Sequence, residues 1–344
     1  MKLLIATQTV DREDPVLGFF HHWLEELAGR CESIEVICLR EGAHALPDNV
    51  RVCSLGKEQG ARSRLAYAYR FKMLIWKLRG RYDTVFVHMN PEYMILGGLF
   101  WRVFRKHAAL WYNHPQRDAR FKLAAFLARK VFYTSPYAAP ALLGKARRMP
   151  VGIDTELFAP RPVSKNRYAL YMQGRIMPSK RAHIALEALR ILRSSGTAAV
   201  LTFVGPELDP AYGEKLRADF ADLVEANALA FLGPRRNEET PNLYSAHGVA
   251  LNLAANGYFD KTAFESMACE TPVVVTSAAF EGIVPAEWIV SENDPKALAE
   301  AILKLFKLSG EEYRALGSLE RAVVVREHGL ATLMDRLVVE LNRT

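Results

Sequence analysis

The stretch Tyr168-Ala-Leu-Tyr-Met-Gln-Gly174-Arg175-Ile-Met-Pro-Ser-Lys180-Arg181 decides how this chain folds. It opens on an apolar run of strand length, leaves it through Gly174, and turns into a helix whose apolar stripe is Ile184, Leu186, Leu189 and Leu192. Strand, short basic loop and amphipathic helix form the repeating unit of a parallel sheet covered on both faces. The pattern extends both ways. Further strands are predicted downstream at residues 200–204, 229–232, 249–253, 272–276 and 289–291, and upstream at 2–7, 34–39, 84–88, 109–113 and 131–134. The fold class read from this is α/β, two doubly wound, Rossmann-like domains.

Helix starts are legible. Asp14-Pro15 precedes an apolar stripe at Leu17, Phe20, Leu24 and Leu27, and Asp294-Pro295 precedes Leu298, Ile302 and Leu305, each an N-cap with proline at the first helical position. Residues 158–167, with two prolines and little apolar content, separate the two strand series. The expected division is a first domain over 1–158, a linker over 159–167 and a second domain over 168–322, with residues 323–344 packing back on the first. Such sheets bind ligands beyond the carboxyl ends of their strands, so a cleft between the two domains is expected to hold the site.

With 344 residues, the chain accommodates about two domains of ~150 residues. Half its residues are apolar, which excludes a disordered chain. The longest apolar stretch, 93–101, is far short of the ~20 residues a membrane span needs, and no signal peptide is visible. Cys31, Cys38, Cys53 and Cys269 have neither paired nor metal-ligand spacing, as for reduced thiols in a cytoplasmic protein. The formal charge of +7, from 45 basic against 38 acidic residues, fits a nucleotide diphosphate or an anionic lipid surface. No zinc-finger spacing or aromatic RNA-binding motif supports nucleic acid as a partner.

No GxGxxG or GxxxxGK[ST] motif is present, so dinucleotide and P-loop chemistry lack support. Instead Arg175 and Lys180 project from the loop after Gly174, where a diphosphate would find charge-assisted hydrogen bonds. The stretch Asn256-Gly257-Tyr-Phe-Asp260-Lys261-Thr262-Ala-Phe-Glu265 reads as loop and helix start. Thr262 there offers a hydroxyl and backbone amides to an anion, and Glu265, on the face of Lys261 and Thr262, a carboxylate for two ribose hydroxyls. Solvated loop charges, and a glutamate favouring its helix dipole, are the structural alternatives.

These blocks resemble the retaining glycosyltransferases of family 4. The matching landmarks are Met149-Pro-Val-Gly-Ile-Asp154 with Phe158, Gly174-Arg175 with Lys180, Phe203-Val-Gly205-Pro, Phe231-Leu-Gly233, and Phe264-Glu265-Ser-Met-Ala268 with Pro272-Val-Val-Val, in the family's order over roughly 148–276. The resemblance implies a GT-B fold, with the domains facing across a cleft, and a donor diphosphate held by Arg175 and Lys180. It places the ribose on Glu265 and the nucleotide near Gly205, and implies leaving-group stabilisation without metal or other cofactor. One departure stands out: the family's second glutamate, which reaches the donor sugar, falls at Gly257, leaving Asp260 or Lys261 as substitutes. His114 matches a histidine that contacts the donor near the reacting carbon. The loop containing Asp11, and His88 at the end of the strand 84–88, are weaker candidates for the acceptor side. No DxD-like metal motif appears.

Two basic-aromatic helices, 62–81 and 100–106, present either an ordinary amphipathic face or a peripheral contact with an anionic membrane. The function expected is transfer of a sugar from a UDP- or GDP-sugar to a glycan or lipid-linked acceptor in cell-surface polysaccharide synthesis, in the cytoplasm or at the inner face of its membrane. The rival readings are a nucleotide-sugar epimerase of the same architecture and a non-catalytic sugar-nucleotide or glycan-binding homologue.

Overall fold

The apolar runs pair edge to edge as two separate parallel sheets in the computed structural model, which describes residues 1–14, 16–61 and 63–342. Pro15 as a first helical residue, Arg62 as the start of a basic helix, and residues 343–344 of the last helix lie outside the described residues. The chain runs β1 (Lys2–Val10), α1 (Phe19–Ala28), β2 (Ser33–Glu41), β3 (Val50–Ser54), α2 (Arg64–Lys77), β4 (Thr84–His88), α3 (Pro91–Val103), β5 (His107–Trp111), α4 (Ala119–Leu127), β6 (Lys130–Tyr133) and β7 (Ala146–Arg148). It continues through β8 (Asn166–Gln173), α5 (Ala182–Ser194), β9 (Val200–Val204), α6 (Pro210–Asp219), α7 (Ala221–Glu225), β10 (Leu229–Phe231), α8 (Thr240–Ala246) and β11 (His247–Asn252). It ends with α9 (Lys261–Ala268), β12 (Val273–Val275), α10 (Pro295–Lys307), α11 (Gly310–Val323) and α12 (Leu330–Asn342).

The first sheet has the order β3-β2-β1-β4-β5-β6-β7 and the second β10-β9-β8-β11-β12. Both fold outward from their first strand, the doubly wound arrangement. Alternation along β1 splits the first core: Leu3 and Ile5 join Trp23, Leu24 and Leu27 of α1, while Leu4 and Ala6 join Phe71 of α2 and Trp101 of α3 on the other face. The second core is built from Leu170 and Tyr171 of β8, Leu186 and Leu189 of α5, Phe264 of α9 and Ile302 of α10.

The chain divides into one unit of residues 1–150 and 330–344 and another of 151–329. The boundary therefore falls before the proline-rich stretch, not on it. Phe158 is buried in the second core, and the backbone N–H of Arg161 donates to Ser245 Oγ at 3.0 Å, which anchors residues 159–167 in the second unit. The second crossing lies at 329/330, and α12 belongs to the first unit, with Leu333, Met334 and Leu337 fully buried in the core that holds α1.

Asp14 Oδ1 accepts from the backbone N–H of Val16 and Leu17, so it caps a turn, and α1 begins only at Phe19. Asp294 caps α10 as expected, accepting from Lys296 and Ala297. The strand expected at 289–291 is a single bridge between Val275 and Ile289, because a 3-10 turn at Ala286–Trp288 and a positive φ at Asn293 bend the chain away on both sides. Among the described residues no helix is long and apolar enough to cross a membrane.

One buried group is out of balance with its surroundings. Glu320 on α11 is fully buried, and neither carboxyl oxygen has a hydrogen-bond partner of good geometry among the described residues. Burial pushes its pKa far up, opposed only by the Val273 backbone amide. A folded state that keeps this proton gains nothing below the unfolded pKa of about 4.3 and loses about 1.4 kcal/mol per pH unit above it. Glu320→Gln is therefore expected to resist denaturant better than the parent at pH 7, with the advantage disappearing near pH 4.5, measured as the urea midpoint at both pH values.

Candidate functional site

In the second sheet the strand order reverses between β8 and β11, the point where open α/β sheets bind ligands. The two candidate loops leave these two strands. The first is held against its neighbours by backbone alone: Gly174 N–H donates to Val204 O at 2.9 Å, Ile176 N–H to Pro206 O at 2.9 Å, and Gly205 N–H to Gly233 O at 3.0 Å. Gly205 has φ +147°, and a Cβ built there would lie 1.9 Å from Gly174 O. Only glycine lets the turns after β8 and β9 come this close.

Along the first loop, Arg175 is exposed and has no hydrogen bond or ion pair with another described residue. Lys180, at the end of a 3-10 turn, forms an ion pair with Asp260 from the second loop. Asp260 is the N-cap of α9 but makes no side-chain cap bond, so its carboxylate is committed to Lys180. One turn along α9, Glu265 is 6% exposed and accepts a hydrogen bond from Tyr244 Oη at 3.2 Å. Burial pushes its carboxyl well above the usual range, the Lys261 ammonium and the Tyr244 hydroxyl pull it down, and Asp260 raises it further. Lys261 is half-buried, donates to Gly152 O at 3.1 Å, and has its pKa lowered by burial and raised by Glu265. Thr262 Oγ1 accepts from Asn252 Nδ2 at 2.9 Å, while Asn252 Oδ1 is buried with no partner among the described residues.

The structure thus joins Lys180, Asp260, Lys261 and Glu265 in one chain of charges, with Thr262 on the same helix and Arg175 on the loop of Lys180. Gly257, where the family has its second acid, is a left-handed turn with φ +84°, its N–H shared between Asn256 Oδ1 and Ser277 Oγ. Of its two substitutes, Asp260 is spent on Lys180 and Lys261 on Gly152 and Glu265.

Sequence reasoning missed three supporting groups. Tyr244 orients Glu265. Arg181, itself left-handed at φ +52°, donates to Leu253 O and Asn293 Oδ1 and pairs with Glu292. Glu292 in turn accepts from Asn256 N–H, which ties the second loop down. These partners lie 21 to 112 residues apart, and no local spacing announces them.

In the first unit the expected residues separate. His88 is 4% exposed, stacked on Phe20 with centroids 4.2 Å apart, and 3.3 Å from Thr7 Oγ1, so it is a core residue and not an open site group. His114 stands three residues beyond β5, which ends at Trp111 and not at 113. It is half-buried, its carbonyl accepts from Ala139 N–H, and its Nδ1 accepts from Gln116 N–H. Asp11 turns its carboxylate onto the backbone N–H of Glu13.

Comparison with known proteins gives this geometry a context. Residues 167–307 match the family described as glycosyl transferases group 1. This stretch is similar to that family. A D-inositol 3-phosphate glycosyltransferase of Acidothermus cellulolyticus is 30% identical over 185 residues, 47% of this chain and 40% of that protein. A GDP-mannose-dependent alpha-(1-6)-phosphatidylinositol dimannoside mannosyltransferase of Mycobacterium tuberculosis is 29% identical over 170 residues, 45% of this chain and 42% of that one. The chain spans about two fifths of the length of these curated relatives. Among solved structures, Anabaena Alr3699/HepE in complex with UDP and glucose superposes with a TM-score of 0.81 at 18% identity, covering 100% of both chains. Sucrose-phosphate synthase from Thermosynechococcus elongatus does so at 0.77 with 20% identity, covering 98% of this chain and 99% of that one. The fold is of the GT-B type.

The second unit depends on its glycine turn. Gly205→Ala is expected to lower the melting temperature markedly more than Gly233→Ala, whose Cβ would meet nothing within 4 Å despite a φ of +67°. A left-handed alanine alone costs about 1–2 kcal/mol, and the backbone clash at 205 adds to it. Differential scanning fluorimetry of the two variants measures the difference.

Proposed function

We propose that the protein transfers a sugar, with retention of anomeric configuration, from a nucleotide-diphosphate donor to a hydroxyl of a glycan or lipid-linked acceptor. The observation that carries this reading is the exposed, unpartnered guanidinium of Arg175 on the same loop as Lys180, at the switch point of the second sheet. A buried diphosphate needs compensating cations, and these two leave from the strand end where it would sit. Asp260 keeps the Lys180 ammonium in place, and the donor diphosphate competes with it for that cation. Glu265, oriented by Tyr244, is assigned to the ribose hydroxyls, and the amides at the start of α9 with Thr262 to the phosphates. His114 is assigned to the sugar end of the donor.

In the step itself the acceptor oxygen bonds to the anomeric carbon from the leaving-group side as the bond to the β-phosphate oxygen breaks. The electron pair goes to the diphosphate, which also takes the hydroxyl proton. Arg175 and Lys180 meet the growing negative charge, so no metal ion is assigned a part. Preorganised charge of this kind is usually the largest catalytic contribution, about 100-fold or more per donor removed. Both UDP- and GDP-sugars fit, since a solved neighbour holds UDP and a relative is named for GDP-mannose. The acceptor side has a hollow of about 560 Å³ at the carboxyl edge of the first sheet, lined by Leu39, Leu55, Tyr67, Phe71 and Tyr93, which suits an acceptor with an apolar part.

An anionic membrane fits the same unit. Leu65, Tyr69, Met73 and Trp76 of α2, Leu99 and Val103 of α3, Phe104 just beyond it and Phe126 of α4 are exposed large side chains among basic residues, with Arg79 over Trp76 and Arg102 over Phe126. On this reading the protein works at the inner face of the cytoplasmic membrane, in assembly of a surface polysaccharide. The turn at Gly257 favours one rival, a non-catalytic sugar-nucleotide binder.

Arg175→Ala and Lys180→Ala are each expected to reduce kcat/KM about 100-fold or more with an unchanged melting temperature, and transfer by the parent protein to survive chelation by EDTA. Product analysis with and without acceptor is the measurement. Donor binding with no glycosylated product over a broad acceptor panel would leave the binder, and sugar interconversion without acceptor the epimerase. Trp76→Ser with Phe104→Ser should lower co-sedimentation with anionic vesicles several-fold.

A further inference from the structure

Below the carboxyl end of α3 the first unit has a second hollow, of about 540 Å³, whose walls include Arg102, Arg105, Lys106, His107, Leu127 and Arg129. It lies at the amino ends of β5 and β6, since His107 opens one strand and Arg129 immediately precedes the other. This is the edge opposite the carboxyl ends where such sheets carry their reactive loops. The hollow is thus separate from the residues assigned to the donor, and nothing in the proposed transfer uses it.

The charges around it are not compensated. Arg102, Arg105, Lys106 and Arg129 form no ion pair with any carboxylate of the described residues. Arg102 donates to Phe126 O at 3.2 Å and Lys106 to Tyr82 O at 2.5 Å, which uses one donor each. Arg129 donates to His107 Nδ1 at 3.0 Å, and the Arg105 side chain makes no bond to a described residue. The cations also act on one another. Burial and then Arg129 lower the pKa of His107, with Asp83 alone opposing, and burial and then Arg102 lower that of nearby Lys145. Arg105 holds a left-handed backbone conformation, φ +53°, at the position after the helix where glycine is favoured. Backbone preference does not account for an arginine there.

We propose that this hollow binds a phosphate group, as a phosphomonoester or diphosphate carried either by a soluble compound or by a lipid headgroup. Four convergent cationic side chains supply more charge-assisted donors than three phosphate oxygens can take up, and the volume admits the group with part of its substituent. The proposal stands independently of sugar transfer.

Arg105→Gly is a clean probe, because it removes a cation while easing the backbone, so the variant is expected to melt no lower than the parent. The full chain, Arg105→Gly, and Arg105→Gly combined with Arg129→Gln are titrated calorimetrically with inorganic phosphate and pyrophosphate. In parallel they are sedimented with phosphatidylcholine vesicles, with or without phosphatidic acid. A soluble phosphate compound as the natural ligand predicts titration affinity about tenfold weaker or more in the double variant, with equal vesicle retention. A lipid headgroup predicts loss of retention on phosphatidic acid vesicles in the double variant, with retention on plain vesicles unchanged. Phosphate affinity and vesicle retention both equal to those of the parent would overturn the proposal, and would leave sugar transfer by the second unit untouched.

Discussion

A carboxylate buried at Glu265 organises the second unit's site. An acid removed from water without a partner is costly, and breaking a buried ion pair typically costs about 3–5 kcal/mol. The chain meets this locally. Lys261 stands one turn back on the same helix, Tyr244 donates from the helix before, and the lysine is itself steadied by Gly152 O. Asp260 comes next in line, raises Glu265 further, and is held off it by Lys180 from the loop after β8. Four charged side chains from the loop after β8 and the start of α9 are thereby gathered in one place.

The second constraint is one of space. Cations can serve an anion at a strand end only if the neighbouring turns leave room, and Gly205 leaves it by having no side chain where Gly174 O passes. Arg181 then fixes the other wall, reaching Leu253 O, Asn293 and Glu292 from a left-handed residue. Close approach at Gly205 and a left-handed backbone at Arg181 thus shape the turns around the site.

Much of this was readable from residue order. The two series of apolar runs became two parallel sheets, and the loop 174–180 and the start of α9 came out side by side because their strands, β8 and β11, are neighbours. What stayed hidden has physical reasons. β3 and β7 are short edge strands with arginines, and their pairing is decided by the sheet they join, not by their own hydrophobicity. The unit boundary was misplaced because prolines at 160 and 162 look like a linker, although hydrogen bonds to Ser245 and Leu157 fasten that segment down. His88 is a weak acceptor-side candidate in the sequence because it ends a strand, whereas in the structure aromatic side chains from α1 cover it. Tyr244, Arg181 and Glu292 act across long separations, where single-sequence periodicity carries no information.

The position of α12 has a consequence for biosynthesis. Leu333, Met334 and Leu337 complete the core around α1, yet they are translated after all of residues 151–329. While the ribosome is still making the later segment, the amino-terminal half has emerged with one hydrophobic side uncovered. It must wait for the last helix, or for a chaperone, whereas the inserted segment 151–329 is contiguous and has all its own core residues once it has emerged.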